Sequence, residues 1–149
     1  MRIIIQRVNK ASIKIDNKEE KSIAKGILVL LGIEEKDEIS DVDWLLNKML
    51  NLRIFDDNNG VMNLSLLDVV GDLLIVSQFT LHASTKKGKR PSYIKAAKPE
   101  KAIPLYEDFV AKAKEQIANT KTGEFGAYMK INLENDGPVT IFVDSKNKE

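Results

Sequence analysis

Two short segments hold the residues best suited to chemistry: Ser77-Gln78-Phe79-Thr80-Leu81 and Asn135-Asp136-Gly137-Pro138-Val139-Thr140. Each closes an apolar run with strand character, where backbone groups and small polar side chains can face a ligand. In the first, backbone N–H groups can line an oxyanion site, and Thr80 can orient a water or a substrate hydroxyl. Thr80 as a nucleophile would need a base. The single histidine, His82, would share a face with Thr80 if the strand continued, but no carboxylate is spaced to orient it as in a triad. A surface histidine is therefore expected. The second segment offers backbone rather than side chains. Proline fixes its own φ, glycine tolerates conformations closed to other residues, and an X-Pro bond can be cis at modest cost. A rigid Gly137-Pro138 tip can thus present two carbonyls to an ammonium group and select by shape. A locally hydrogen-bonded strand end and a hairpin turn account for the same residues without any function.

Several chemistries are excluded by composition. There is no cysteine, so disulfides, thiolate metal sites and a cysteine nucleophile are absent. One histidine and scattered carboxylates make no metal ligand set, and Gly71 and Gly88 are too isolated for a phosphate-binding loop. No cofactor is expected. The apolar run Ile3-Ile4-Ile5 is too short for a signal-peptide core and no later run approaches a membrane span, so cytoplasm is the expected location. The formal net charge is +1 but unevenly distributed: residues 34–43 hold six acids and one lysine, and residues 82–101 hold seven Lys or Arg against Glu100. The basic stretch suits a phosphate-rich partner, or is a solvated loop.

These segments need a scaffold to position them. Met1 to Val8 and Ala11 to Ile15 have strand patterns, Asp16-Asn17 marks a turn, and Gly26 to Ile33 is apolar on both faces, as in a central strand. Val42, Leu45, Leu46, Met49 and Leu50 form one helical stripe that Ser40 could cap, with Trp44 packing beside it. A short strand is expected over Leu52 to Phe55, and another over Leu73 to Gln78 leads into the first motif. Ala102, Tyr106, Phe109, Ala113 and Ile117 mark a second helix starting near Pro99 or Glu100, with Pro104 tolerable only in its first turn. Alternation over Ala127 to Leu133 and Val139 to Val143, about a turn at Asn135-Asp136-Gly137, predicts a hairpin, and residues 145–149 should fray. About seven strands and two main helices give a mixed α/β protein of one domain, residues 1–149.

Taken together, the two motifs resemble the paired signature of D-aminoacyl-tRNA deacylases. Gln6-Arg7-Val8, the run Leu50 to Phe55, Gly71-Asp72-Leu73, Lys89-Arg90-Pro91 and Phe125-Gly126-Ala127-Tyr128-Met129 are similar to that family as well. The resemblance implies a β-barrel-like arrangement of mixed sheets flanked by two helices, and a homodimer with active sites at the subunit interface. It implies hydrolysis of the ester between a D-amino acid and tRNA, with no membrane or DNA partner. Ser77, Gln78, Phe79 and Thr80 would then form the catalytic segment, and Gly137, Pro138, Arg7, Asn135 and Thr140 would bind substrate, with Arg7 bracing the Gly-Pro tip through its fork of donors. A Gly137-cis-Pro138 tip would hold the α-amino group and collide with an L side chain. Glycine has no side chain to clash, so glycine mischarged on tRNA(Ala) would also be cleaved. Lys86, Lys87, Lys89 and Arg90 would lie near tRNA phosphates. A relative with a trans Gly-Pro bond, a non-catalytic tRNA or RNA-binding module, and a small-metabolite ester hydrolase are the alternatives.

Overall fold

The computed structural model describes residues 1–148. β1 (Arg2–Ile15) joins both strand signals at the N-terminus into one strand and buries Ile3, Ile5, Val8, Ala11, Ile13 and Ile15. At the turn, Asp16 and Asn17 both take positive φ (47° and 58°), which Asp and Asn tolerate better than most residues. The chain returns as β2 (Glu19–Ile23), which carries no legible pattern because only Ile23 is buried. β3 (Gly26–Gly32) follows, then α1 (Ile39–Asn51), the small pair β4 (Phe55–Asp56) and β5 (Met62–Leu64), and β6 (Asp72–Ser77). A single 3-10 turn (Phe79–His82), α2 (Pro99–Gln116), β7 (Thr120–Thr122) and β8 (Met129–Asp144) complete the order.

The main sheet runs β2-β1-β3-β6-β7, with β8 also paired to β1. β3, β6 and β7 are parallel neighbours, whereas β1 is antiparallel to β2, β3 and β8. Each parallel connection needs a crossover, and α1 and α2 supply one each. Alternate residues of β3 and β6 feed two cores. Ile27, Val29, Leu31, Leu73 and Ile75 pack with both helices, while Leu28, Leu74 and Val76 pack with Ala11, Ile13 and Ile15 on the opposite face. The doubly apolar sequence of the central strand follows from this, and the mixed α/β barrel-like architecture is the expected one.

Several local expectations change. The N-cap of α1 is Glu38, whose N–H donates to Asp41 Oδ2 at 2.8 Å, so Ser40 lies inside the first turn. Leu52 to Ile54 is not strand, and the short pairing begins at Phe55. α2 starts at Pro99, yet Pro104 sits beyond its first turn on the exposed side, where water can serve the orphaned carbonyl. The expected C-terminal hairpin is instead one 16-residue strand. β1 is long enough to pair with both halves of it, Arg2 to Gln6 with Asp144 to Thr140 and Val8 to Ile15 with Asn135 to Met129. Nor does the tail fray at its start: Ser145 is buried and its N–H donates to Met1 O at 2.9 Å, while Lys146 pairs with Asp41 at 2.7 Å. Glu149 lies outside the described residues. Among the described residues, no helix is long and apolar enough to cross a membrane.

Candidate active site

β6 ends where Gln78 (φ −146°, ψ 79°) donates its N–H to Leu31 O at 2.7 Å and turns the chain out of the sheet. The first bond of the following turn runs from Leu81 N–H to Gln78 O at 3.2 Å. The N–H groups of Phe79 and Thr80 precede that bond and have no partner inside the turn. Gln78 Nε2 donates to Thr80 Oγ1. Gly32 makes this packing possible, because a Cβ there would lie 2.9 Å from both Gln78 O and Leu81 Cβ. Ser77, Gln78 and Phe79 line a cavity of about 280 Å³ whose other wall includes Phe125, Tyr128 and Met129. Phe79 is half exposed, at 55%, and Thr80 is not among the lining residues.

His82 corrects the expectation of a surface histidine. The strand does not continue past Ser77, so Thr80 and His82 do not share a strand face, and His82 is 1% exposed. Burial is the main influence pushing the imidazole below its ordinary value; a hydrogen bond to the Gly32 backbone opposes it, and the nearby Arg2 cation adds to the lowering. A buried neutral ring under the 3-10 turn is a packing group.

The second motif is a loop-out from β8. Gln6 pairs with Thr140 and Val8 with Asn135, so residues 136–139 stand opposite Arg7 alone. The Gly137-Pro138 bond is cis, Gly137 has φ +131°, and both residues are exposed. The Asn135 side chain ties the base: Oδ1 accepts from Val139 N–H at 2.8 Å and Nδ2 donates to Thr140 Oγ1 at 3.0 Å. Arg7 supports it from below, with only 7% of its side chain exposed. Its Nε donates to Asp136 O at 3.0 Å and lies 3.3 Å from Asp136 Oδ2, while Nη1 donates to Ile54 O at 2.6 Å and approaches Asp56 Oδ1 at 3.4 Å. This fork spreads one cation over three residues in two chain segments.

The family described as D-Tyr-tRNA(Tyr) deacylase matches residues 4–144. The chain belongs to the D-Tyr-tRNA(Tyr) deacylase family. A D-aminoacyl-tRNA deacylase of Bacteroides fragilis is 61% identical over the whole of both chains, and one of Flavobacterium johnsoniae is 59% identical over the same extent. Among solved structures, the c-Myc DNA Unwinding Element Binding Protein superposes with a TM-score of 0.90 at 37% identity, covering 97% of this chain and 98% of that one.

In this deacylase-family chain, Ser77, Gln78 and Phe79 meet at one cavity, and Arg7, Asn135, Gly137, Pro138 and Thr140 meet at the loop-out. The cavity lining includes neither Gly137 nor Pro138, so one chain does not bring the two groups together there. The basic residues form a third feature. Ser84 and Ser92 exchange backbone hydrogen bonds at 2.8 and 2.9 Å, and Lys86, Lys87, Lys89 and Arg90 are exposed on the loop they close, with Gly88 at φ +70°. Residue-by-residue reasoning missed Gly32 and the Arg7 partners Ile54 and Asp56, while the contact of Arg7 with the tip at Asp136 was expected from the family resemblance. The glycine ends an apolar strand, a signal that marks a close approach but not its partner. Among the described residues, no cluster of His, Asp or Glu could hold a metal ion.

Proposed function

We propose that this protein hydrolyses the ester joining a D-amino acid to the 3′-terminal adenosine of tRNA, acting as a homodimer whose sites form between subunits. The observation that carries the reading is the separation of the motifs. One chain presents a cavity at Ser77, Gln78 and Phe79 without the exposed Gly137-Pro138 tip, so a second copy would complete it. β8, hydrogen-bonded along one edge to β1, leaves its other edge available for such an assembly.

In the assembled site, backbone carbonyls of the tip hold the substrate ammonium, and the tip occupies the space an L side chain would need. Selection then works by exclusion. The Phe79 N–H stabilises the oxyanion, Thr80 positions the water, and Ser77 and Gln78 shape the pocket and touch the terminal adenosine. An ester beside a ribose hydroxyl is an activated substrate, so positioning and oxyanion stabilisation can suffice without a charged acid–base pair. Arg7, Asn135 and Thr140 hold the tip. Glycyl esters, including glycine on tRNA(Ala), would be cleaved because they offer nothing to exclude. Lys86, Lys87, Lys89 and Arg90 add salt-dependent affinity for tRNA phosphates. The whole chain acts as one domain, and the cytoplasm, where tRNA is charged, is its location.

Mixing two inactive variants tests the shared site. Thr80→Ala and Gly137→Ala homodimers should both be impaired. After subunit exchange, a mixed dimer contains one site with the wild-type Thr80 segment of one subunit and the wild-type tip of the other. Recovery of activity towards one quarter of the wild-type level is expected. No recovery, with exchange verified by mass spectrometry of the dimers, would place both motifs in the same subunit's site or remove them from catalysis.

A further inference from the structure

Beside the cavity is an aromatic surface to which the proposed chemistry gives no role. Tyr93 is 39% exposed and Ile94 is 90% exposed, directly after the loop closed by Ser84 and Ser92. The Tyr93 ring meets Phe79 edge to face, with centroids 5.1 Å apart and planes at 72°. Phe79 in turn lines the cavity. The backbone around Tyr93 is held, since Ala96 N–H donates to Tyr93 O at 3.0 Å and Ala97 N–H to Ile33 O at 2.9 Å. Phe79 gives this pair its place at the cavity, and Tyr93 directly follows in the chain the closed loop that carries the exposed Lys86, Lys87, Lys89 and Arg90. Lys95 and Lys98 are exposed just beyond.

A partly exposed aromatic pair at a cavity, with a run of cations adjoining it in the chain, suits the binding of unpaired nucleic acid. Rings stack on bases while cations follow the backbone. We infer that Tyr93, braced by Phe79, is a stacking platform for the unpaired nucleotides immediately 5′ of the esterified one. The inference rests on the deacylase reading for the identity of that nucleic acid, and it deepens it. Tyr93 adds affinity for the single-stranded end without touching the ester, so it separates a tRNA substrate from a bare nucleoside ester.

Two measurements on the full-length protein test this separately from catalysis. The first is binding of a short, uncharged, fluorescently labelled RNA with an unpaired 3′ end, at fixed salt. Tyr93→Ala should weaken it about tenfold, the scale of losing one base stack, while Tyr93→Phe binds as wild type does. The salt dependence should keep its slope in Tyr93→Ala and become shallower in Lys87→Ala. The second compares kcat/KM for D-aminoacyl-tRNA and for D-aminoacyl-adenosine. Tyr93→Ala should lose about tenfold on the tRNA ester alone, mainly through KM. Equal losses on both esters, or unchanged RNA binding, would overturn the platform. If wild-type protein binds the RNA through Tyr93 yet cleaves neither ester, the platform stands and the deacylase reading falls.

Discussion

In the proposed site, Gly137 would carry the selection for a D-amino acid on its backbone alone. Its φ of +131° lies where an L side chain is strained, and a Cβ would sit 2.8 Å from Val139 Cγ2 and 3.1 Å from Arg7 Nη2. Gly137→Ala should therefore shift the tip, lowering kcat/KM on D-aminoacyl-tRNA by on the order of tenfold or more with little loss of thermal stability. Unchanged D-selective turnover would remove the tip from the site. At this scale the sequence announced the motif residues because glycine, proline and asparagine carry backbone meaning wherever they stand. No local pattern announced the Arg7 contacts: the one with the tip, 129 positions away, was implied by the family resemblance alone, and the one with Ile54, 47 positions away, by nothing. Nor did the sequence reveal His82 as buried, because a lone histidine has no pattern to say which way its ring turns.

At the scale of elements, the first motif depends on how closely the 3-10 turn approaches β3. Gly32→Ala would push a methyl group into Gln78 O, Leu81 Cβ and, at 3.2 Å, His82 Cδ2. We expect it to displace the Phe79 amide and reduce deacylation more than tenfold at saturating substrate, since a misplaced oxyanion donor costs about that much or more. Normal kcat would show that the amide has no such role. α1 is anchored differently. Burial opposes the charge on Asp41, but hydrogen bonds from Lys146, Ser145 and the Glu38 backbone outweigh it and hold its carboxyl at about 2, below the ordinary 3.8. A depressed folded-state value stabilises above the unfolded one, and the gain is lost as pH falls through the folded one. Asp41→Asn should thus cost up to about 2 kcal/mol at neutral pH, with the gap to wild type closing between about pH 4 and about pH 2. Urea titrations across that range check it, and a gap that stays constant would contradict the assignment. Legibility followed burial here. The stripes of α1 and α2 and the apolar β3 and β6 were readable, whereas exposed β2 and three-residue β7 have no periodicity to read. A strand with a loop-out has the same alternation and turn signature as a hairpin, and only the length of β1 decides between them.

For the whole molecule, the layout of one mixed sheet between two cores leaves the cavity, the tip and the basic loop as three separate surface features of a single chain. Composition and periodicity could predict the α/β class but not that separation, because no local signal encodes which sheet edges stay open. Function at this scale came from the pairing of two weak motifs over nearly the full chain, matched by relatives about 60% identical. The proposed activity is chiral ester hydrolysis by protein groups. The most direct measurement follows release of D-tyrosine, L-tyrosine and glycine from their tRNA esters by the purified protein, with and without EDTA. Rapid cleavage of the D-tyrosyl and glycyl esters, sparing of the L-tyrosyl ester and indifference to chelation are the predicted result. Equal cleavage of D and L esters, loss of activity with EDTA, or binding of tRNA without cleavage would contradict it.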